Sequence, residues 1–366
     1  MTRIEWTQKT WNPIVGCSIV SPGCTNCYAM KMAARLEAMC VASGAAYEAD
    51  HGRFKSGSSG LLHYRGLTQP SKAGSVWTGK VTLAPESIIR APLSRRQPTM
   101  YFVNSMSDLF HEDVPDEWID RVFAIMAMCP QHTFQVLTKR SERMRVYMNT
   151  WTVSDIFKRQ RLIIQHKSAG ALTWKWPLPN VWLGVSTERQ QEADERVPDL
   201  LATPAAVRFV SAEPLLGPVD FERILFVREI YESGAHHYVD VLRGGFWSPK
   251  EHSFRSSQDG EPKNHFTNHS DIKDQLLNWV IVGGESGHGA RPMHPDWARA
   301  IRDQCQAANV PFFFKQWGEF VSVSEVAGPG AHFSFEDGAT VRRTGKKLAG
   351  RLLDGVEHNH MPERTR

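Results

Sequence analysis

No stretch of the sequence approaches the roughly 18–20 consecutive apolar residues that a membrane-crossing helix needs. Its first ten residues, MTRIEWTQKT, also lack the apolar core of a secretory leader. These absences predict a protein of the cytoplasm with no membrane partner. Cysteine is sparse, with six in 366 residues, and a reducing compartment makes a disulfide framework a poor use for them. No glycine-rich GxGxxG follows an early strand-like run, which argues against a dinucleotide-binding doubly wound sheet. Charge of either sign is not in large excess: the net value of +4 is compatible with a nucleic-acid partner and does not require one. With 41% hydrophobic and 22% charged residues, the composition excludes wholesale disorder. Twelve tryptophans is a high count; core packing or stacking on a base or nucleoside would each use such rings.

What the sequence does contain is a rhythm. Short β-prone runs at 76–84, 99–105, 132–138, 180–186, 206–212, 278–284 and 310–316 predict strands. Segments of helical composition at 115–129, 139–148, 187–202 and 294–309 lie between them, and 28–39 reads as a further helix. Near-continuous apolar strands separated by helices predict an α/β fold with a parallel sheet, as a partial or complete (β/α) barrel. On this reading 1–42 is a cysteine-bearing loop and helix, and 43–75 a loop excursion. Residues 76–317 form the barrel, interrupted by a polar insertion at 220–277 that serves as a lid or a plain surface loop, and 318–366 cap it.

Polar residues gather just after the apolar runs, where a β/α barrel keeps its active-site face. Asp108, Lys139, Ser186, Glu188, Glu213, Glu285, Lys315 and Gln316 are therefore expected to converge on one mouth. Single polar residues at such places more often cap helices or form turns, the role expected for Ser141, Thr187 and Asp296. Lys139 and Lys315 sit beside apolar runs, where an uncompensated charge is costly, so each should meet a carboxylate or an anionic ligand.

Three of the six cysteines fall within one short segment, WNPIVGCSIVSPGCTNCYAM, as Cys17, Cys24 and Cys27. The CxxC pair places two thiolates within reach of one metal centre, and the Pro22–Gly23 bend brings in a third. Three ligands suit an iron–sulfur cubane with one open iron. A closed zinc site is the alternative, with its fourth ligand from His51, His63 or His111.

The same segment, followed in order by YFVNSMSDLF, QVLTKR, WLGVS, FVSAEPLLG, WVIVGGESG, PFFFKQWG and GRLLDG…MP, resembles the phage-encoded three-cysteine-motif family. The likeness spans nearly the whole chain apart from 43–75 and 220–277. That family is similar to the radical S-adenosylmethionine (SAM) superfamily and its DNA-photoproduct-lyase branch, although the first cysteine gap here is longer than usual. The resemblance implies a barrel of the radical SAM type with a 4Fe–4S cluster on Cys17, Cys24 and Cys27. The open iron would bind the amino and carboxylate groups of SAM, whose one-electron cleavage yields a 5′-deoxyadenosyl radical. By strand order, Ser105, Asp108, Lys139, Ser186 and Glu213 are the candidates for holding SAM. Glu285, Lys315 and Trp317 are the candidates for catalysis on the substrate side. Some phage relatives are associated with thymidine hypermodification in viral DNA. The implied activity is a radical isomerase that converts an N-linked amino-acid (glycyl) adduct on the 5-methyl carbon to its C-linked form. DNA or a nucleoside would be the substrate, a reductant protein the partner, and the host cytoplasm the location. A pyrimidine-lesion lyase and a non-catalytic, zinc-bound nucleic-acid-binding module are the other readings.

Overall fold

Six of the seven apolar runs are strands of one sheet in a computed structural model describing residues 4–42, 59–72, 74–151, 155–156, 175–226, 238–248, 253–256 and 276–363. The strands are β1 (Lys9–Trp11), β2 (Met100–Val103), β3 (Thr133–Thr138), β4 (Val181–Ser186), β5 (Val207–Ala212), β6 (Trp279–Gly283) and β7 (Phe312–Gln316). Their order in the sheet follows the chain. The β1–β2, β2–β3, β5–β6 and β6–β7 pairings are parallel. The protein is thus a mixed α/β fold, and seven such strands with intervening helices are compatible with a partial β/α barrel.

One predicted strand is elsewhere. Within 76–84, Gly74–Trp77 pairs antiparallel with Thr68–Ser71, and Thr82–Leu83 pairs with Ile14–Val15. The first place in the sheet goes instead to Lys9–Trp11, whose KTW sequence carries no apolar run to announce it. The insertion differs too. Its described residues include Ile224–Leu225, Tyr238–Asp240, Gly245–Ser248 and Ser253–Ser256, which form a four-stranded antiparallel sheet rather than a plain loop. The rest of that insertion, and 43–58 of the predicted excursion, lie outside the described residues.

Two compact units divide the chain, and the division falls inside 76–317 rather than at either end of it. The first unit comprises Met1–Arg143 and Tyr147–Trp182; it holds β1 to β3, α1 (Tyr28–Ala42) and α2 (Asp116–Ala127). α2 starts where the sequence signals it. Pro115 precedes it, Asp116 and Glu117 lie in its first turn against the positive helix end, and Ile119, Val122, Phe123 and Met126 form its buried stripe. α3 (Ser141–Thr150) follows β3; Arg140, not a serine hydroxyl, stands at its cap position.

The second unit, chiefly Leu183–Thr365, holds most of β4 and β5 to β7, with α4 (Gln190–Leu201) and α5 (Pro295–Ala307). β4, β5 and β6 are buried along their whole length, as strands covered on both faces must be. Gly184 is required at its place in β4: a Cβ there would lie 2.6 Å from the Phe209 ring of β5. α5 is capped by His294, whose Nδ1 accepts the Asp296 N–H, so the capping role expected of Asp296 belongs to its neighbour. Thr187 is fully buried, and its backbone N–H donates to the Ser211 carbonyl. Part of the tail runs along an edge strand of the sheet. The Phe314 N–H donates to His358 O (2.9 Å) and the His360 N–H to Phe312 O (3.2 Å), covering the outer side of β7.

Candidate functional site

The cysteine loop leaves the end of β1 in the first unit and is fastened before its first thiol. The Gly16 N–H donates to Met106 O (3.1 Å), and the Ser107 hydroxyl donates to Ile14 O (2.9 Å). Gly16 itself has φ +94°, and a Cβ on it would stand 2.1 Å from Lys80 O. Only glycine meets both conditions, so the residue before Cys17 is fixed by backbone sterics. Gly16→Ala is expected to cost more than about 1 kcal/mol, read as a lowered midpoint in urea denaturation.

Beyond Cys17, Pro22–Cys24 makes one 3-10 turn, closed by the Cys24 N–H to Ser21 O (2.9 Å). The Cys27 N–H donates to Cys24 O (3.2 Å), and α1 begins at Tyr28. Burial raises the Cys27 thiol pKa, while the N–H groups of Met30 and Ala29 at the helix start favour its thiolate. Burial, then the nearby Asp108 carboxylate, pushes Cys17 up to about 12, and Cys24 and Cys27 also repel its thiolate. The three thiols are therefore close enough to feel one another, and free thiolates there would be costly. Cys40, Cys129 and Cys305 are buried apart from this loop as core thiols, at 1% exposure or less.

The donor set discriminates between the metal readings. Three sulfurs on one tetrahedral zinc ion would lie roughly 4 Å apart. Among the described residues, the only three such ligand atoms within 4.8 Å of one another are those of His294, Asp296 and Asp337. The three cysteine sulfurs do not all lie that close to one another, so they do not form a ready-made site for one ion. Nor does a described histidine join them. His111 is fully buried, with Nδ1 accepting the Asp113 N–H and Nε2 3.0 Å from Ser18 Oγ. His51 lies outside the described residues.

Around Cys17 stands a network centred on Arg140. Its Nη1 donates to Cys17 Sγ (3.8 Å) and Asp108 Oδ2 (3.1 Å), its Nη2 to Ser18 Oγ (2.6 Å), and its Nε to Glu112 Oε2 (2.6 Å). Partial burial would raise the Glu112 pKa, yet hydrogen bonds from Arg140 and Ser18 hold it at about 2. Because that pKa is depressed, the contact is complete above the ordinary carboxylate range and is lost only as pH falls through about 2.

Asp108 is saturated by the protein. Oδ1 accepts from Thr138 Oγ1 (2.7 Å) and the Phe110 N–H (3.0 Å), and Oδ2 from the Lys139 N–H (3.0 Å) and Arg140. Its geometry is that of an anchor for Arg140. Ser105 Oγ donates to Asn12 Oδ1 (3.1 Å), and the Ser105 carbonyl accepts from the Tyr28 hydroxyl (2.8 Å). The Lys139 charge acts on Cys27, lowering its pKa. Arg140 was missed from sequence although the argument that singled out Lys139, a charge beside an apolar run, applies equally to it.

The second unit brings together a separate set. Lys315 Nζ lies 3.2 Å from Glu213 Oε1, and Ser211 Oγ donates to Glu213 Oε2 (3.0 Å). Gly283 makes room for this carboxylate: a Cβ there would stand 2.4 Å from Glu213 Oε1. Glu285 is gripped by Arg291, with Nε 2.9 Å from Oε2 and Nη2 2.6 Å from Oε1. Ser186 is buried, and its carbonyl accepts from Arg196, which also pairs with the fully buried Glu188 at 2.9 Å. Gln316 Nε2 donates to Ser286 Oγ (2.9 Å).

Trp317 faces the core instead of an open site. It is 1% exposed, its indole N–H donates to Leu352 O (2.6 Å), and its ring meets Phe314 edge-on. Large apolar rings after a strand are drawn inward by burial, which outweighs their position in the chain. Trp317→Ala is expected to destabilise the protein by about 3–5 kcal/mol in urea denaturation, as for other core aromatics.

Fold and site define a mixed α/β protein with a three-thiol loop leaving the first strand of its sheet. The chain belongs to the DUF5131 family, described as proteins of unknown function, over residues 1–362. Neither a curated protein nor a solved structure matches it. Among the described residues, no helix is long and apolar enough to cross a membrane.

Proposed function

We propose that this protein is a radical SAM enzyme in which Cys17, Cys24 and Cys27 hold a 4Fe–4S cluster and SAM takes the open iron. Its substrate on this reading is a modified thymidine of DNA, with an N-linked amino-acid adduct isomerised to the C-linked form. The observation that supports the cofactor half is the donor set: three thiols on one loop whose charges act on one another. The substrate half rests on the likeness of the ordered motifs.

When bound, the cluster and SAM supply hydrogen-atom abstraction; the chain supplies position and charge. The Arg140 N–H directed at Cys17 Sγ offsets negative charge on that ligand, and Asp108 holds the guanidinium in place. Cys27 takes its place at the start of α1, where backbone N–H groups favour a thiolate. Within the first unit, Ser105 and Lys139 remain the candidates near SAM. Glu213 and Lys315 form one charged pair in the second unit. Glu285, held by Arg291, offers a fixed carboxylate. An external one-electron reductant is required by this chemistry.

The test is anaerobic. Purified protein should be brown, contain close to four irons and four sulfides, and release 5′-deoxyadenosine from SAM once reduced. Colourless protein with one zinc per chain would overturn the proposal. For the substrate, nucleoside mass spectrometry of DNA made without this protein should reveal an accumulated N-linked amino-acyl thymidine. A cleaved or repaired pyrimidine product in vitro would replace the isomerase assignment with a lyase.

A further inference from the structure

A second feature of the first unit takes no part in that reading. A cavity of about 890 Å³ lies beside β1, which has a sheet neighbour on one side only. Lys9, Arg95 and Arg96 line it, and no lining residue bears a carboxylate. These cations are not neutralised elsewhere: among the described residues none of the three has an ion-pair partner. Arg95 spends its hydrogen bonds on neutral groups, Thr99 Oγ1 (2.6 Å) and Gln97 Oε1 (3.2 Å). The positive charge is therefore available to an anion.

His63 and Tyr64 also line the cavity, their ring centroids 4.5 Å apart. His63 is only 8% exposed, and its buried Nδ1 has no hydrogen-bond partner. Burial lowers the His63 pKa to about 4, so near neutral pH the imidazole is uncharged and can exchange hydrogen bonds with a neutral heterocycle. Cations without carboxylates beside an aromatic pair ask for a ligand with both phosphate and base.

We infer that this groove binds single-stranded nucleic acid, with phosphates on Lys9, Arg95 and Arg96 and a base against His63 and Tyr64. The inference is independent of the cluster. It assigns the groove to holding a polynucleotide rather than to the reaction, as stacking platforms with basic rims do in other strand-binding proteins.

Fluorescence anisotropy with a labelled short oligothymidylate tests it on the full chain, prepared both as the wild type and as Cys24→Ala. Both should bind, with affinity falling as salt rises. The Lys9→Ala/Arg96→Ala double variant changes two exposed side chains and should keep the fold. It should bind at least tenfold more weakly, and its salt slope should flatten by roughly 1.4 for two lost phosphate contacts. His63→Phe keeps a ring and removes the nitrogen, so it should weaken binding several-fold without changing that slope. Thymidine monophosphate should compete far less well than the oligonucleotide. Absence of oligothymidylate binding, a double variant with wild-type affinity and slope, or equal competition by the mononucleotide would each overturn the inference.

Discussion

Cys24→Ala should yield colourless protein with iron at background and no 5′-deoxyadenosine above the level without enzyme, a loss of at least about 100-fold. Losing one of three thiolates leaves a cluster with two protein ligands, and even outer-sphere changes at metal sites cost about 10–100-fold in affinity. The effect should be confined to the cofactor. Cys24 closes a single 3-10 turn through its backbone N–H, which alanine retains. The metal-free variant and metal-free wild type should therefore unfold at nearly the same urea concentration. A variant that still bound four irons would remove Cys24 from the ligand set, and one that no longer folded would make its role structural. Cys305→Ala is the natural control, because that thiol is on the buried face of α5, away from the cysteine loop.

Arg140→Ala should damage both stability and cofactor. The guanidinium is the hydrogen-bonded cation between Asp108 and Cys17, and the side chains of Arg140 and Asp108 are 10% and 7% exposed. Removing it leaves a buried carboxylate without its ion-pair partner, a change that typically costs about 3–5 kcal/mol. It also leaves that carboxylate's charge beside thiolates that burial already disfavours. Iron affinity and unfolding midpoint should both drop. Asp108→Asn on top of Arg140→Ala should recover much of the stability, because the uncompensated charge is gone, but not the contact to Cys17 Sγ. Measuring all four proteins separates these terms, since the coupling between the two sites is the part that does not add. No recovery in the double variant would show that Arg140 acts through packing alone.

Much of the fold was legible because burial leaves a periodic trace. Strands buried on both faces, such as VWLGVS and VRFVSA, are mostly apolar, and the helices between them carry one apolar stripe. Lys9–Trp11 was illegible for the converse reason: a three-residue edge strand with two exposed side chains has no such trace. The strands within 220–277 are short and antiparallel, and the polar residues around them hide any alternation.

At the site, the spacing of the three cysteines puts them on one loop. What could not be read was how each polar side chain is spent. Asp108 and Glu285 both follow strands, and each is committed to an arginine, one 32 residues away in the chain and the other six. Sequence order gives the address of a side chain, whereas its partner depends on contacts made only after folding. Trp317 shows the same limit, since its indole N–H is met by a carbonyl 35 residues further on.

The pairing of residues 358–360 along β7 also bears on how the protein is made. During synthesis the outermost strand of the sheet emerges well before the segment that shields it, and its backbone groups stay open to any passing extended chain. Shielding arrives only once residues 358–360 have left the ribosome. A nascent chain stalled short of His360 would carry a sticky border, so chaperone engagement during translation should be concentrated in that interval.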